Sequence, residues 1–217
     1  MAYQPVRLAP ATPPHVARLM RKSVDPFLAD VHALLRLPLR KPNIPSGCNF
    51  TVAHTLLGVV AGVSIAFYKS GLKDGEAFTG LLCEFYPWDL EGAADAAERS
   101  KVLWRTFRNP FAHSLGMPFE GRQGNRELRP RGFQLKIGRG RPSMKERDLV
   151  AFERSVERPM LKPTVVIEPH KRVLWVEALY WGTRKMVYRL SSNTALMDDV
   201  EQRFSASLAR HEARPKP

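Results

Sequence analysis

Cysteine is almost absent from this chain: of its 217 residues only Cys48 and Cys83 carry a thiol. Two cysteines do not make the disulfide framework of a small secreted domain, and there is no C-x-x-C and no Cys/His cluster at metal-ligand spacing. A reducing cytoplasm is therefore the expected compartment, with no metal or other cofactor. Acidic residues are the second shortage. Asp and Glu total 21 against 34 Lys and Arg, which leaves a net charge of +13 and a pI near 10.2. That surplus favours a polyanionic partner, nucleic acid ahead of a membrane surface, without choosing between RNA and DNA. Also missing are a Gly-rich phosphate loop, a nucleophile elbow, a zinc-protease histidine pair, a close carboxylate pair and any internal repeat. The first 14 residues are Pro-rich and lack the charged-then-apolar order of a signal peptide, so they read as a poorly ordered arm.

Hydrophobic residues make up 44% of the chain and charged residues 25%, enough to bury a core, and the length suits one domain or one domain with an appendage. Asp25-Pro26 has the form of a helix start, with Phe27, Val31, Leu34 and Leu35 on one apolar face, after a short turn or helix over residues 15–22. Residues 39–47 form a loop. Residues 51–68 are nearly all apolar, yet they fall slightly short of a membrane span, contain His54, Thr55 and Ser64, and have no second span beside them. They are expected to form the buried central helix of a bundle, with Gly58 and Gly62 allowing close helix approach in the core or across a dimer seam. No membrane partner is expected, and His54 reads as a core or interface histidine. A third helix covers residues 73–83, Tyr86-Pro87-Trp88 is a turn, and Asp89 is placed to cap a fourth helix. Four helices with short connections make a bundle.

The fourth helix runs into Leu103-Trp104-Arg105-Thr106-Phe107-Arg108-Asn109-Pro110-Phe111-Ala112-His113-Ser114-Leu115-Gly116. Leu103, Phe107, Phe111 and Leu115 recur every four residues, the apolar stripe of a helix facing a core. Arg108, Asn109 and His113 are thus polar groups held near a packed surface. Arginine keeps its proton and offers only donors, which suits a phosphate; histidine titrates near neutrality and moves protons. The plainer alternative makes Arg108 an exposed helix charge and His113 a helix-end cap. On a straight helix, residues five apart point about 140° away from each other and rise about 7.5 Å, so one protomer does not easily aim both at one phosphorus. Pro110 offers one way out, a break with Asn109 as N-cap and Pro110 opening a new short helix. A symmetric dimer whose paired Arg and His residues line one cleft is the other. The preceding acids Asp74, Glu76, Glu84, Asp89, Glu91, Asp95 and Glu98 either form a solvated face or orient one of the two site residues.

Arg108-Asn109-Pro110-Phe111-Ala112-His113 resembles the Arg-x(4 to 6)-His signature of HEPN domains, including the polar residue that usually follows the arginine. The resemblance covers roughly residues 15–118. It implies a helical module, often a metal-independent ribonuclease of toxin, antiviral or RNA-processing systems, generally built as a homodimer. The fold expected is mainly α: a flexible arm over 1–14, a HEPN-like helical bundle over 15–118, a basic arm over 119–145, and an α/β region over 146–211 that is either separate or part of the same domain, with a tail over 212–217.

Between residues 121 and 145 stand eight basic residues, Arg122, Arg126, Arg129, Arg131, Lys136, Arg139, Arg141 and Lys145, against the single acid Glu127. This Gly-rich stretch is expected to be flexible or locally extended and to contact nucleic acid through phosphates. Gly138-Arg139-Gly140-Arg141-Pro142 resembles the Arg-Gly-Arg-Pro core of an AT-hook, which enters the narrow minor groove of A/T-rich DNA. Residues 144–156 read as a short helix. Residues 163–168, 172–179 and 185–190 read as two or three antiparallel strands with Gly182-Thr183 as a turn, and Asn193 or Thr194 caps a final helix carrying Leu196, Val200, Phe204 and Leu208. Trp175 and Trp181 read as core or platform residues.

The resemblance then implies that His113 is general acid or base, Arg108 stabilises charge on the phosphoryl oxygens, and Asn109 orients the phosphate or the histidine. RNA is the expected partner, with an antitoxin or defence-system protein beside it. The alternative is a non-catalytic HEPN-like protein that holds DNA or RNA with the basic arm. A third class, a small-molecule or nucleotide binder in a toxin or effector complex, has no motif of its own.

Overall fold

The computed structural model describes residues 2–37, 48–110, 134–139 and 163–212. The expected loop at 39–47 and helix at 144–156 lie outside these residues. The described chain is mainly helical, with six α-helices and a small three-stranded sheet.

Helix α2 (Asn49–Phe67) is the centre, as its composition demands. It is the one described helix long and apolar enough to cross a membrane, with a mean hydropathy of 1.9, and more than half of it is enclosed by the protein's own elements. Val52, Leu56, Val60, Val63 and Phe67 are buried on it. Helices α1 (Pro14–Arg36) and α3 (Asp74–Phe85) pack against it. The face bearing Thr51, His54, Gly58, Gly62 and Ile65 remains exposed. A Cβ added at Gly58 or Gly62 would meet no described residue within 4 Å, so these glycines do not serve close packing among the described elements.

The expected start at Asp25-Pro26 is corrected, because α1 begins at Pro14 and runs through Pro26 without a break. Val16, Met20, Val24, Leu28 and Val31 form one buried stripe on both sides of the proline. An interior proline costs roughly 3 kcal/mol, whereas each large aliphatic side chain buried returns about 1.5–3 kcal/mol. The stripe outweighs the lost hydrogen bond. Asp25 is not a cap: its Oδ1 accepts from the Tyr3 hydroxyl at 2.6 Å and the Val6 N–H at 2.7 Å. The N-terminal arm is likewise corrected, for Val6, Leu8 and Ala9 are buried in the common core. The Ala9 N–H donates to Ser191 Oγ at 2.9 Å, and Arg184 donates to the carbonyls of Gln4 at 3.0 Å and Pro5 at 3.2 Å.

After α3, Tyr86-Pro87-Trp88 turns as expected, with both aromatic rings buried and their centres 4.4 Å apart. Asp89 opens a single 3-10 turn (Asp89–Glu91) instead of capping the fourth helix. Gly92, at φ 63°, takes a left-handed conformation that ends this turn. Helix α4 (Ala96–Val102) starts instead at Asp95, whose Oδ1 accepts from the Glu98 N–H at 2.8 Å. Asp89 meets Arg189 in two parallel contacts of 2.7 and 2.9 Å.

The sheet is mixed. Strands β2 (Val165–Glu168) and β3 (Lys171–Trp175) form the expected hairpin, and β1 (Gln134–Gly138), from the basic stretch, lies parallel to β3 on its other side. Thus part of the arm is a paired strand. The expected strand at 185–190 and turn at Gly182-Thr183 are both corrected to one helix, α5 (Val176–Ser191), which packs against α1, α2 and α3. Nearly all of its residues are buried, including Thr183, Arg184 and Lys185. Burial on every side erases the polar face by which a sequence pattern reveals a helix. Helix α6 (Thr194–Glu212) follows, with Asn193 Oδ1 accepting from the Leu196 N–H at 3.1 Å as the cap. Val200 is fully buried, Leu196 and Phe204 pack partly, and Leu208 is exposed. One hydrophobic cluster runs from Val6 to Val200, so α5 and α6 share the core of the first four helices.

Arg139 ties the sheet to the bundle. Its guanidinium donates to the Leu37 carbonyl at 2.9 Å and the Leu34 carbonyl at 3.2 Å at the C-terminus of α1, while its own carbonyl accepts from the Glu177 N–H at 3.1 Å. Replacement by Met keeps the stem and removes the donors. Arg139→Met is expected to lower the unfolding free energy by about 1–3 kcal/mol in a urea titration, the range for hydrogen bonds from a charged group.

Candidate functional site around Arg108

At Leu103 the helix that began as α4 widens. Over Leu103–Arg108 it is a π-helix, and the Asn109 N–H reaches back five residues to the Trp104 carbonyl. Such wide turns are rare and frequently accompany functional sites. Leu103 and Phe107 are fully buried, so the first half of the expected stripe faces the core; Phe111 and Leu115 lie outside the described residues. Asn109 keeps helical dihedrals, φ −65° and ψ −47°, which corrects the expected break with Asn109 as N-cap. The anchoring of Leu103 and Phe107 holds the chain helical against the preference of a residue that precedes proline.

Arg108 and Asn109 are half-buried. The Arg108 guanidinium sits 5.1 Å from the centre of the Trp104 ring. The Trp104 indole lies against α3: its ring centre is 5.2 Å from that of Phe78, and a Cβ on Gly75 would fall 2.9 Å from its Nε1. Gly75 is thus required by close approach, because any side chain there would displace the indole.

Arginines elsewhere in the described residues are committed wherever they are buried or half-buried. Arg99 donates to the Val165 carbonyl, Arg139 to the end of α1, Arg172 to the Glu168 carbonyl, Arg184 to Gln4 and Pro5, Arg189 to Asp89, and Arg203 to the Tyr68 carbonyl. Arg108 is the exception: it makes no hydrogen bond or ion pair with a described residue, and its guanidinium carbon sits 5.1 Å from the centre of the Trp104 indole. Of the acids considered as orienting groups, Glu84 pairs with Lys69 and Tyr68, Asp89 with Arg189 and Glu91 with Thr164, and none of the described ones meets Arg108.

His113 lies outside the described residues, as do Arg122, Arg126, Arg129, Arg131, Arg141 and Lys145. Lys136 is exposed on β1 with its ammonium 6.0 Å from the Trp175 ring centre. Arg139 is buried and occupied as a helix cap, which removes it from the expected nucleic-acid contacts and leaves the AT-hook resemblance without its first arginine. Among the described residues, no three His, Cys, Asp or Glu side chains gather as metal ligands.

A polar cluster that the sequence does not announce joins the sheet to the bundle. Glu91 accepts from the Thr164 N–H at 2.9 Å and from the Thr164 hydroxyl, which also shares a hydrogen bond with the buried Tyr86 hydroxyl. Burial pushes the Glu91 carboxyl up to about 7, against the opposing pull of the Thr164 hydrogen bonds and of Arg99. In sequence, Glu91 is one acid among several near a turn. Its partner stands 73 residues away, so no local signal could have found it.

No protein-family model, curated protein or solved structure matches this chain. The HEPN resemblance therefore rests on the sequence pattern from Arg108 to His113.

Because the folded state holds the Glu91 proton to about 7 rather than to the ordinary 4.5, it binds more protons than the unfolded chain across that interval. The contribution of Glu91 to stability is accordingly full below pH 4.5 and lost as pH rises through about 7. Glu91→Gln keeps an acceptor for Thr164 and cannot ionise. In chemical denaturation from pH 4.5 to 8, the wild type is expected to lose stability relative to the Gln variant as pH increases; parallel curves would show that the Glu91 carboxyl is not perturbed.

Proposed function

We propose that this protein is a metal-independent endoribonuclease of HEPN type, acting through Arg108, Asn109 and His113. The observation that carries this reading is Arg108 itself: a half-buried guanidinium at the end of a π-turn, oriented on Trp104 and uncommitted to any described acceptor. A buried cation normally acquires protein partners because desolvation is costly. One that no described acceptor engages is suited to an anion from outside, and a phosphate matches it in geometry and charge.

In the reaction, a ribose 2′-hydroxyl loses its proton to a base and forms a bond to the adjacent phosphorus, while the bond from phosphorus to the 5′-oxygen breaks. The leaving oxygen takes up a proton, giving a 2′,3′-cyclic phosphate and a 5′-hydroxyl. His113 supplies proton transfer at one of these oxygens, and Arg108 neutralises charge growing on the non-bridging oxygens. Asn109 orients the phosphate or the histidine. Two copies of the chain in a homodimer supply the second histidine that paired acid and base roles require. Lys136 and the basic residues Arg122, Arg126, Arg129, Arg131, Arg141 and Lys145 hold the strand through salt-sensitive phosphate contacts. A toxin or antiviral role in the cytoplasm, restrained by an antitoxin or defence-system partner, follows from the family analogy.

Labelled single-stranded RNA incubated in EDTA tests this. The wild type is expected to cut and leave cyclic-phosphate ends, and His113→Ala and Arg108→Ala are each expected to lose about 100-fold or more of the rate. Tight binding of RNA or of A/T-rich duplex by pure protein without any cutting would replace the nuclease with a non-catalytic nucleic-acid-binding protein.

A further inference from the structure

We propose that Trp104 is a positioning residue for Arg108: its indole, seated on Gly75 and Phe78 of α3, fixes the direction of the guanidinium without itself engaging any of the donors. This rests on the reading of Arg108 as the phosphate-binding group. A guanidinium carries its N–H groups in its own plane, so a ring beneath that plane attracts the cation without consuming a hydrogen bond. A carboxylate partner would orient the arginine equally well, but it would occupy the donors and neutralise the charge that a phosphate needs.

The geometry has three parts. The guanidinium carbon lies 5.1 Å from the indole centre, within cation–π range. The indole is held from behind, since Phe78 contacts it at a ring-centre distance of 5.2 Å and 48°, and Gly75 brings the α3 backbone where a Cβ would stand 2.9 to 3.2 Å from Nε1, Cε2 and Cζ2. Finally, the π-turn begins just before Trp104 and ends at Arg108, with the Trp104 carbonyl accepting from the Asn109 N–H. One short segment therefore sets the ring, the cation and the following amide together. Arg105, in the same segment, is exposed and has no such platform among the described residues.

Three variants separate positioning from simple structural support. Trp104→Leu removes the π face, and Trp104→Phe keeps one. Gly75→Ala leaves Trp104 in the chain and favours the helix by propensity, yet it pushes the indole off its seat. Side-chain NMR of Arg108 reads the platform directly, without any substrate. The wild type and Trp104→Phe are expected to show Arg108 side-chain protons shifted upfield by the ring, and Trp104→Leu and Gly75→Ala to show them at the positions of an exposed arginine such as Arg105. In RNA cleavage, Trp104→Leu and Gly75→Ala are expected to lower kcat about 10-fold or more with KM little changed, and Trp104→Phe to stay within about 3-fold of the wild type. An Arg108 spectrum that is unshifted in the wild type, or the same in all variants, overturns the proposal. So does wild-type cleavage by Trp104→Leu in a protein whose Arg108→Ala variant is inactive, and there the nuclease reading survives. If the wild type does not cut RNA but its Arg108 protons show the ring shift that Trp104→Leu abolishes, the positioning stands and the nuclease reading falls.

Discussion

An apolar helix that water would not tolerate on all sides governs this structure. Helix α2 carries no Asp, Glu, Lys or Arg over its 19 residues, and its buried side chains are satisfied only when other elements surround it. Helices α1 and α3 cover it from the neighbouring sequence, and α5 and α6 arrive from more than a hundred residues later. Because α5 fills a central place, the chain preceding it is drawn against the bundle as a three-stranded sheet, and the N-terminal residues close over its far end. The exposed side of α2, with Gly58, Gly62 and Ile65, is the part of this demand that the described residues of one chain leave unmet.

Positive charge has two uses here. Arg139 and Arg184 are buried and spend their donors on backbone carbonyls, the first at the end of α1 and the second on the N-terminal segment. Arg184 is also surrounded by the rings of Tyr3, Tyr180 and Trp181, at 5.4 to 5.6 Å. Such arginines are internal fasteners. A net charge of +13 therefore overstates the charge offered to a polyanion. The contrast between Arg139 and Arg108 shows why basic motifs read from sequence need a structure beside them: both sit in a suggestive pattern, but only Arg139 is engaged by described acceptors.

The candidate site was legible in part. Arg108 and Asn109 stood out because an Arg-Asn pair is conspicuous inside an apolar helical run, and Leu103 and Phe107 identified the buried face by spacing alone. The π-turn and the Trp104 platform were not legible. Whether a turn of helix closes on four residues or five is decided by how Leu103 and Phe107 seat in the core, and Trp104 acquires its role only because Gly75 lies beneath it. The Glu91, Thr164 and Tyr86 cluster escaped for a related reason, since each of its members looks like an ordinary turn, strand or helix-end residue on its own.

Local chemistry by itself determined α2 through an unbroken apolar run, α3 through spacing, the cap at Asn193, the β2–β3 hairpin, and the mainly helical character of the chain. In each case the relevant interaction partners lie within a few residues, or solvent supplies the contrast that makes a pattern visible. Tertiary structure alone decided that α1 continues through Pro26, that residues 176–191 are a helix and not strands, that β1 joins the sheet, and that the N-terminal segment belongs to the core. Those outcomes depend on burial supplied by distant elements: a long apolar stripe overrides one proline, and a helix enclosed on every side has no polar face left to announce it.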